Sequence, residues 1–135
     1  MSREFKFRVY DKKLKRMLGV QKHSFKTKRS MPYGFNMEYD FGGIMQYTGL
    51  KDIKGTEVYE GDIIPFHLDS NVKGVVKFGE YTDWNCKRPT QHIGFYVDFT
   101  GEHKRINRKD LGYWVEVSYV IGNIYENPEL LEGES

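Results

Sequence analysis

Few side chains of this sequence stand at a spacing that supports chemistry. The four histidines, His23, His67, His92 and His103, are far apart, and no two of them have the spacing of metal ligands. Cys86 lies six residues before His92, so a Cys–His nucleophilic pair is conceivable, but no second cysteine completes a zinc set. A loop thiol and surface imidazoles are the simpler interpretation, and no catalytic, metal or cofactor site is predicted.

Carboxylates cluster near the middle of the chain, where Glu57, Glu60 and Asp62 surround a turn. Paired carboxylates can perform acid–base chemistry or bind a hard cation. Aspartates also stabilise tight turns through bonds from the backbone, which accounts for Asp52 and Asp62 without invoking a site. We expect a protein that is not an enzyme, with a positive φ angle at Gly61 in this turn.

The charge is distributed unevenly along the chain. Residues 1–29 contain 11 Lys/Arg and 2 Asp/Glu, a net charge of +9, whereas residues 30–135 contain 10 Lys/Arg and 17 Asp/Glu, a net charge of −7. A basic segment of this kind can bind nucleic acid, bind the acidic surface of a neighbouring subunit, or form a solvated hairpin face. Phe5, Phe7, Tyr10 and Phe25 are interleaved with the cations, as in proteins that bind single strands.

The first strand has an apolar face that needs covering. Phe5, Phe7 and Val9 alternate with polar residues, and an isolated hairpin is marginally stable in water. We therefore expect this segment to dock on the rest of the protein or on another chain, most simply in a homo-oligomer, with nucleic acid as the second choice. The candidate partner-contacting residues are Phe5, Phe7, Arg8, Val9, Lys12 and Lys13.

The composition favours strands over helices. The chain has 10 Tyr, 9 Phe, 2 Trp and 14 Gly but no alanine, and aromatic residues favour strands whereas alanine favours helices. No apolar run approaches the roughly 20 residues of a membrane span, and a single cysteine suits a reducing compartment. These features predict a soluble cytoplasmic protein without a membrane segment, and nothing in the sequence indicates a small-molecule ligand.

The predicted organisation is an N-terminal basic β arm over residues 1–42, a candidate oligomerisation element, followed by a β domain over residues 43–135. The segment Gln21–Asn36 is interpreted as a connection, and Tyr113–Val117 as a closing strand. Pro65 cannot donate to a ladder, so its strand should be an edge or carry a bulge there. Asn127 and Pro128 should begin a short C-terminal helical turn.

The predicted core consists of apolar residues on the most regular strands. Adjacent apolar pairs in this set imply burial on both faces or a bulge, because neighbouring side chains point to opposite faces of a strand. The predicted core residues are Ile63, Val75, Val76, Phe78, Phe95, Val97, Val120, Ile121 and Ile124.

Three segments carry a resemblance to a known family. They are Phe5–Asp11 at the start, Gln46–Asp52 with Val58–Ile64 in the middle, and Val120–Leu131 at the end. In this order they resemble the motifs of the YopX family, which is found largely in phages and prophages, although the opening strand of that family more often ends in Trp-Asp than in Tyr-Asp. The resemblance implies a β-rich protein whose larger part is similar to an SH3-like barrel, and it implies no activity.

The sequence thus predicts a mainly β protein with an N-terminal β arm, an SH3-like small β-barrel and a short C-terminal helical turn. The expected role is that of a YopX-like phage or prophage accessory protein that is not an enzyme and acts through self-assembly or a protein partner. The alternative is a nucleic-acid-binding small barrel that uses the basic arm.

Overall fold

The computed structural model of the chain describes residues 6–83, 89–99, 106 and 108–132. Most of these residues are in strands, which confirms the mainly β prediction. The elements are β1 (Phe7–Asp11), β2 (Arg16–Ser24), β3 (Arg29–Pro32), β4 (Ile44–Lys51), β5 (Glu57–Tyr59), β6 (Asp62–Phe66), β7 (Asp69–Asp83), β8 (Thr90–Asp98), α1 (Leu111–Val117), β9 (Gly122–Asn123) and a 3₁₀ helix (Pro128–Leu131). The sequence positions Phe5, Cys86 and His103 lie outside the described residues.

The chain forms two compact units, Met1–Gly49 and Leu50–Ser135, which we call the N-terminal and C-terminal units. The division falls after Gly49, whereas the sequence analysis placed a boundary after residue 42. The strands form antiparallel sheets, and no closed barrel is found among the described residues.

The N-terminal unit contains an antiparallel sheet in which β1 lies between β2 and β4, and β3 pairs with the outer side of β2. Val9 is paired with both Leu18 and Ile44, so the three side chains share one face, and Val9 is fully buried there.

The interpretation of Gln21–Asn36 as a connection was wrong. Strand β2 continues to Ser24, a turn spans Phe25–Lys28, and β3 follows immediately. These residues are polar and basic because much of this hairpin is exposed, so their composition resembles a loop although their backbone is paired. A register shift between Val20 and Lys22 further weakens the alternation that would have marked the strand.

The C-terminal unit contains a sheet with the strand order β8-β7-β6-β9. Two local predictions are confirmed in β6 and the turn before it. The register between β6 and β7 shifts between Pro65 and Phe66, which is the expected bulge. Gly61 has a φ angle of +88°, and its N–H donates to the carbonyl of Val76 at 2.8 Å.

The core of the C-terminal unit was predicted only in part. Ile63, Val76 and Val97 are buried as expected, whereas Val75, Phe95, Val120, Ile121 and Ile124 are half-buried. The prediction that Phe78 belongs to the core was wrong. Its side chain is 55% exposed, because β7 extends past the end of β6 at this point. The main cluster also contains residues that the sequence analysis did not select, namely Val58, Ile64, Phe66, Val72, Phe99, Ile106, Leu111, Trp114 and Val115.

The predicted closing strand Tyr113–Val117 is wrong, because this segment lies in helix α1. Asp110 caps the helix, and its Oδ2 accepts a hydrogen bond from the Tyr113 N–H at 3.2 Å. The buried residues Leu111, Trp114 and Val115 follow the i, i+3, i+4 spacing of one helical face. Capping and core packing together outweigh the strand preference of the aromatic and β-branched residues.

The predicted C-terminal helical turn is present as the 3₁₀ helix that begins at Pro128. Asn127 occupies the N-cap position, but its side chain makes no capping hydrogen bond. Its Oδ1 instead accepts a hydrogen bond from the N–H of Asn123 at 3.2 Å.

Candidate functional site

Two basic turns stand at the two ends of β2 in the N-terminal unit. The first, Lys12–Lys15, joins β1 to β2, and the second, Phe25–Lys28, joins β2 to β3. Because β2 has nine residues, the turns are separated by roughly 30 Å at about 3.3 Å per residue. Each turn contains a lysine in the left-handed region, Lys15 with a φ angle of 53° and Lys28 with a φ angle of 58°.

Side chains of the preceding strands hold both turns in place. In the first turn, Oδ1 of Asp11 accepts hydrogen bonds from the N–H groups of Lys13 at 3.0 Å and Leu14 at 3.3 Å. In the second turn, Oγ of Ser24 accepts a hydrogen bond from the N–H of Thr27 at 3.3 Å. The strands thus fix where the lysines emerge from the sheet.

The cations of these turns are not neutralised by the chain around them. They are exposed, and within the part of the chain that the structure describes they form no ion pair. This group, which we call the free cations, also includes Arg29 at the start of β3, and it comprises Lys12, Lys13, Lys15, Lys26, Lys28 and Arg29. Nearby ion pairs involve other residues, such as Arg16 with Asp11 at 3.7 Å and Lys22 with Glu38 at 3.9 Å.

Two open clefts lie between these turns, and they share Asp40 and Phe41 in their walls. The larger cleft, of about 460 Å³, is lined by Tyr10, Asp11, Lys12, Lys13, Phe35, Tyr39, Asp40 and Phe41. The smaller cleft, of about 370 Å³, is lined by His23, Phe25, Lys28, Ser30, Asp40, Phe41, Gly42, Gly43 and Ile44. Each cleft therefore has aromatic walls and reaches one of the two basic turns.

Aromatic side chains point outward beside the cations. Phe25 is 69% exposed and Tyr33 is 70% exposed, and Tyr39 is also exposed. The Phe25 ring meets the rings of Phe7 at 6.1 Å and His23 at 4.5 Å, both edge to face. These contacts hold Phe25 in a fixed position and leave much of the ring open to solvent.

The sequence-predicted contact residues are distributed between the surface and the core. Lys12 and Lys13 are exposed in the wall of the larger cleft, and Phe7 is half-buried against Phe25. Arg8 is half-buried in β1. Val9 cannot contact a partner, because it is buried in the sheet of its own unit between Leu18 and Ile44.

Sequence reasoning missed the contribution of residues 33–43 to this surface. Tyr33 lies in the segment that was interpreted as a connection, and Tyr39 and Phe41 follow it in residues for which no element was predicted. The role of all three depends on a fold-back that no local pattern encodes. The structure shows this fold-back as a bridge in which Ser30 and Tyr39 exchange backbone hydrogen bonds at 2.8 and 2.9 Å. The available signal was the aromatic run Tyr33, Phe35, Tyr39 and Phe41 after the basic hairpin.

Three of the residues considered for catalysis make contacts within the C-terminal unit. Asp62 is buried, and its Oδ2 accepts a hydrogen bond from the N–H of Tyr59 at 2.7 Å, which fits the turn interpretation. His67 packs against the Trp114 ring at 5.5 Å, and His92 stacks on Tyr81 at 5.3 Å. Among the described residues, no group of three or more His, Cys, Asp or Glu side chains is placed to hold a metal ion.

Comparison with known protein families identifies a match over nearly the whole chain. A sequence profile described as YopX protein matches residues 6–132. The chain belongs to the YopX family. This confirms the resemblance that the three sequence motifs indicated.

The YopX-family chain is also similar to a solved structure, that of protein EF1440 from Enterococcus faecalis. The two are 25% identical with a TM-score of 0.54, and the match covers 97% of this chain and 100% of EF1440. No curated protein matches the sequence. No helix in the described ranges is long and apolar enough to cross a membrane.

Proposed function

We propose that this YopX-family protein is a cytoplasmic phage or prophage accessory protein that is not an enzyme and that binds an acidic protein surface through its basic N-terminal unit. The acidic surface is supplied by a second copy of the chain or by another protein. The SH3-like barrel, predicted from the sequence over residues 43–135, is proposed to include the C-terminal unit and to carry this binding unit.

The observation that carries the proposal is the group of free cations at the two turns. The N-terminal unit has 11 Lys/Arg and 4 Asp/Glu, a net charge of +7, whereas residues 50–135 have 10 Lys/Arg and 15 Asp/Glu, a net charge of −5. Opposite charges on two parts of one chain can be matched between subunits of an assembly. The free cations supply charges that still need partners.

Exposed aliphatic side chains favour protein over nucleic acid as the partner. Leu14 lies in the first basic turn and Met37 lies near the clefts in sequence, and both are exposed. Such side chains cannot stack on bases, whereas methionine and aromatic residues are enriched in protein interfaces. Burial of these side chains supplies the main driving force, and the charges set register and association rate.

A second candidate function, binding of single-stranded nucleic acid, is favoured by the outward aromatics. Phe25 exposes ring surface in the turn that holds Lys26 and Lys28, and Tyr33 exposes a second ring beside Gly19 of β2. Stacking platforms together with phosphate-binding cations are the combination that single-strand binders use.

Charge reversal separates these functions. We would measure the mass of the full chain by light scattering at about 50 mM and about 500 mM salt. The higher salt concentration shortens the Debye length, so it weakens the attraction between exposed charges. We expect a higher mass at low salt, and we expect the variants Lys12→Glu/Lys13→Glu and Lys26→Glu/Lys28→Glu to lose that increase. The control is Lys51→Glu/Lys73→Glu, which reverses two charges outside the N-terminal unit.

The same samples are then titrated with a single-stranded DNA oligonucleotide. If mass is independent of salt while the oligonucleotide binds in a salt-sensitive way that both variants abolish, the second function replaces the first. Salt-independent mass without oligonucleotide binding contradicts both. An equal effect of the control variant contradicts a specific role for the N-terminal unit.

A further inference from the structure

The long hairpin of β7 and β8 in the C-terminal unit extends beyond the rest of its sheet. The strands pair without a register shift from Val75 opposite Asp98 to Asp83 opposite Thr90. Strand β6 accompanies β7 only as far as the turn before Asp62, where Gly61 donates to the carbonyl of Val76. Past that point β7 and β8 form a two-stranded ribbon, and β8 is the edge strand of the sheet.

The edge of β8 exposes backbone groups that could pair with another strand. The N–H of Val97 donates to the carbonyl of Lys109 at 2.8 Å, so the backbone groups of Val97 point away from β7. Since orientation repeats at every second residue of an antiparallel strand, the N–H groups of Gln91, Ile93 and Phe95 point the same way. In the described ranges none of these three N–H groups has an acceptor.

The sequence and pairing of β8 also lack most of the features that usually protect edge strands. Natural edges are blocked by Lys, Pro, bulges or a covering segment. From Thr90 to Val97 the strand has no Lys, Arg, Asp, Glu or Pro, and its register with β7 has no bulge. Among the described residues, the segment around Lys109 and Asp110 covers the edge at Tyr96 and Val97. A strand of this kind is a template for pairing.

One face of the ribbon is apolar and open to solvent. Ile93 is 73% exposed and shares this face with Phe78 and Phe95, whose rings meet edge to face at 5.0 Å. Glu80, opposite Ile93 on β7, is the charged residue of this face. A two-stranded ribbon is marginally stable in water, so an exposed apolar face on it calls for a cover.

On the other face of the ribbon, stacked rings connect the two strands. The ring of Tyr81 stacks on His92 at 5.3 Å and on Tyr96 at 5.2 Å, with interplanar angles of 25° in both cases. These stacks span both strands, so the edge of β8 is presented in an extended conformation before any partner arrives. Such preorganisation lowers the entropic cost of association.

We propose that β8 is a dimerisation edge, at which β8 of a second copy adds in antiparallel orientation near Ile93 and joins the two ribbons into one continuous sheet. This goes beyond the proposed function, which concerns the N-terminal unit.

Symmetry identifies the second copy as the partner. Across a two-fold axis at Ile93 the two Ile93 side chains face each other, and Gln91 of each copy lies opposite Phe95 of the other, so this uncharged strand places no like charges together. The exposed Ile93 side chains meet, and the apolar faces with Phe78 and Phe95 become continuous. A charged peptide would find no complementary charge on this edge.

The test is the mass of the full chain as a function of concentration, by sedimentation in about 500 mM salt, where attraction between exposed charges is screened. We expect a dimer under these conditions. Ile93→Lys should weaken dimerisation by at least about a hundredfold, because two lysines would face each other at the axis. The matched control is Ile53→Lys, an exposed isoleucine outside the ribbon, which should leave the dimer unchanged.

A monomer at every concentration overturns the proposal, and so does a dimer that persists in Ile93→Lys or that Ile53→Lys weakens equally.

Amide exchange on the unsubstituted chain gives an answer even if Ile93→Lys fails to fold. The N–H groups of Gln91, Ile93 and Phe95 should exchange more than about tenfold more slowly at high than at low concentration. Exchange that does not depend on concentration overturns the proposal. The low-salt charge reversals in the N-terminal unit remain a separate measurement, so failure of either idea is recognised on its own.

Discussion

At the scale of single residues, Asp52 joins two parts of the C-terminal unit that are distant in sequence. Its Oδ1 accepts hydrogen bonds from the N–H groups of Lys54 at 2.9 Å and Thr56 at 3.0 Å. Its Oδ2 accepts a third from the N–H of Val120 at 2.8 Å. The first two bonds are the turn stabilisation predicted from sequence, whereas the third is a tertiary contact that only the fold creates.

Replacing Asp52 should therefore destabilise more than the loss of a turn residue. Asp52→Ala leaves three N–H groups without their acceptor in a buried place, and we expect a loss of about 3 kcal/mol in the free energy of unfolding. Urea denaturation measures this. Asp40→Ala is the control, since Asp40 is exposed and accepts one such bond, from Gly42. Equal losses in the two variants would contradict a tertiary role for Asp52.

Because of Tyr81, the folding stability of the C-terminal unit should depend on pH in the alkaline range. Burial raises the pKa of Tyr81 above its ordinary value of 10.0, and the charges of Asp110 and Asp83 raise the pKa further. The folded state thus holds the phenolic proton more tightly than the unfolded state does. The resulting stability is fully present below pH 10.0 and is lost as the pH rises through the pKa of the folded state.

We therefore expect Tyr81→Phe to make the decline of the melting temperature above about pH 10 less steep. The measurement is a series of thermal melts across the alkaline range. Tyr33→Phe is the control, because the Tyr33 side chain is largely exposed. Parallel declines in Tyr81→Phe and in the unsubstituted chain would show that Tyr81 does not contribute.

At the scale of elements, helix α1 supplies the centre of the main hydrophobic cluster. The ring of Trp114 lies 4.8 Å from Phe99 and 5.7 Å from Phe66, and its Nε1 donates to the carbonyl of Arg108 at 2.8 Å. By contrast, Phe95 is half-buried on the ribbon and contacts Phe78. Helix α1, which the sequence analysis interpreted as a strand, is therefore closer to the centre of the core than Phe95 of β8, which was predicted to be a core residue.

Truncation of these two aromatics should reveal the difference. Trp114→Ala should lower the free energy of unfolding by about 3–5 kcal/mol, because it removes a large buried side chain and leaves a cavity. Phe95→Ala should lower it by only about 1–2 kcal/mol, because less apolar area leaves the protein interior. Urea denaturation compares them. A larger loss in Phe95→Ala would mean that the ribbon, not the helix, carries the core.

At the scale of the whole molecule, features set by local chemistry could be predicted from the sequence. Gly61, the bulge at Pro65 and the 3₁₀ helix at Pro128 depend on the φ range of glycine or on the missing N–H of proline. Helix α1 had a visible pattern, but short apolar segments fit both periods and the strand preference was chosen.

Features set by long-range pairing could not be predicted. The exposed hairpin of β2 and β3 has the composition of a loop, and only its pairing makes it a strand. The candidate site combines the turns at the two ends of β2 with aromatics from residues 33–43, and that combination exists only after β1, β2 and β3 have paired. Charge asymmetry needs no pairing to be seen, and it is the feature of the sequence that directed attention to the N-terminal unit.

Lys15 and Lys28, whose backbone lies in the left-handed region, supply charge for binding at a cost in folding stability. An L-residue in the left-handed region costs about 1–2 kcal/mol relative to the right-handed one, whereas glycine adopts it freely but loses more chain entropy on folding. Lys15 and Lys28 both occupy this region, so each basic turn presents a cation at a position where the backbone favours another residue. Lys28→Gly should therefore raise the free energy of unfolding by about 0.5–1 kcal/mol while weakening the association that the free cations support. Urea denaturation and low-salt light scattering on the same variant would measure both effects, and a variant that gains stability without losing association would mean that Lys28 does not contribute to the association.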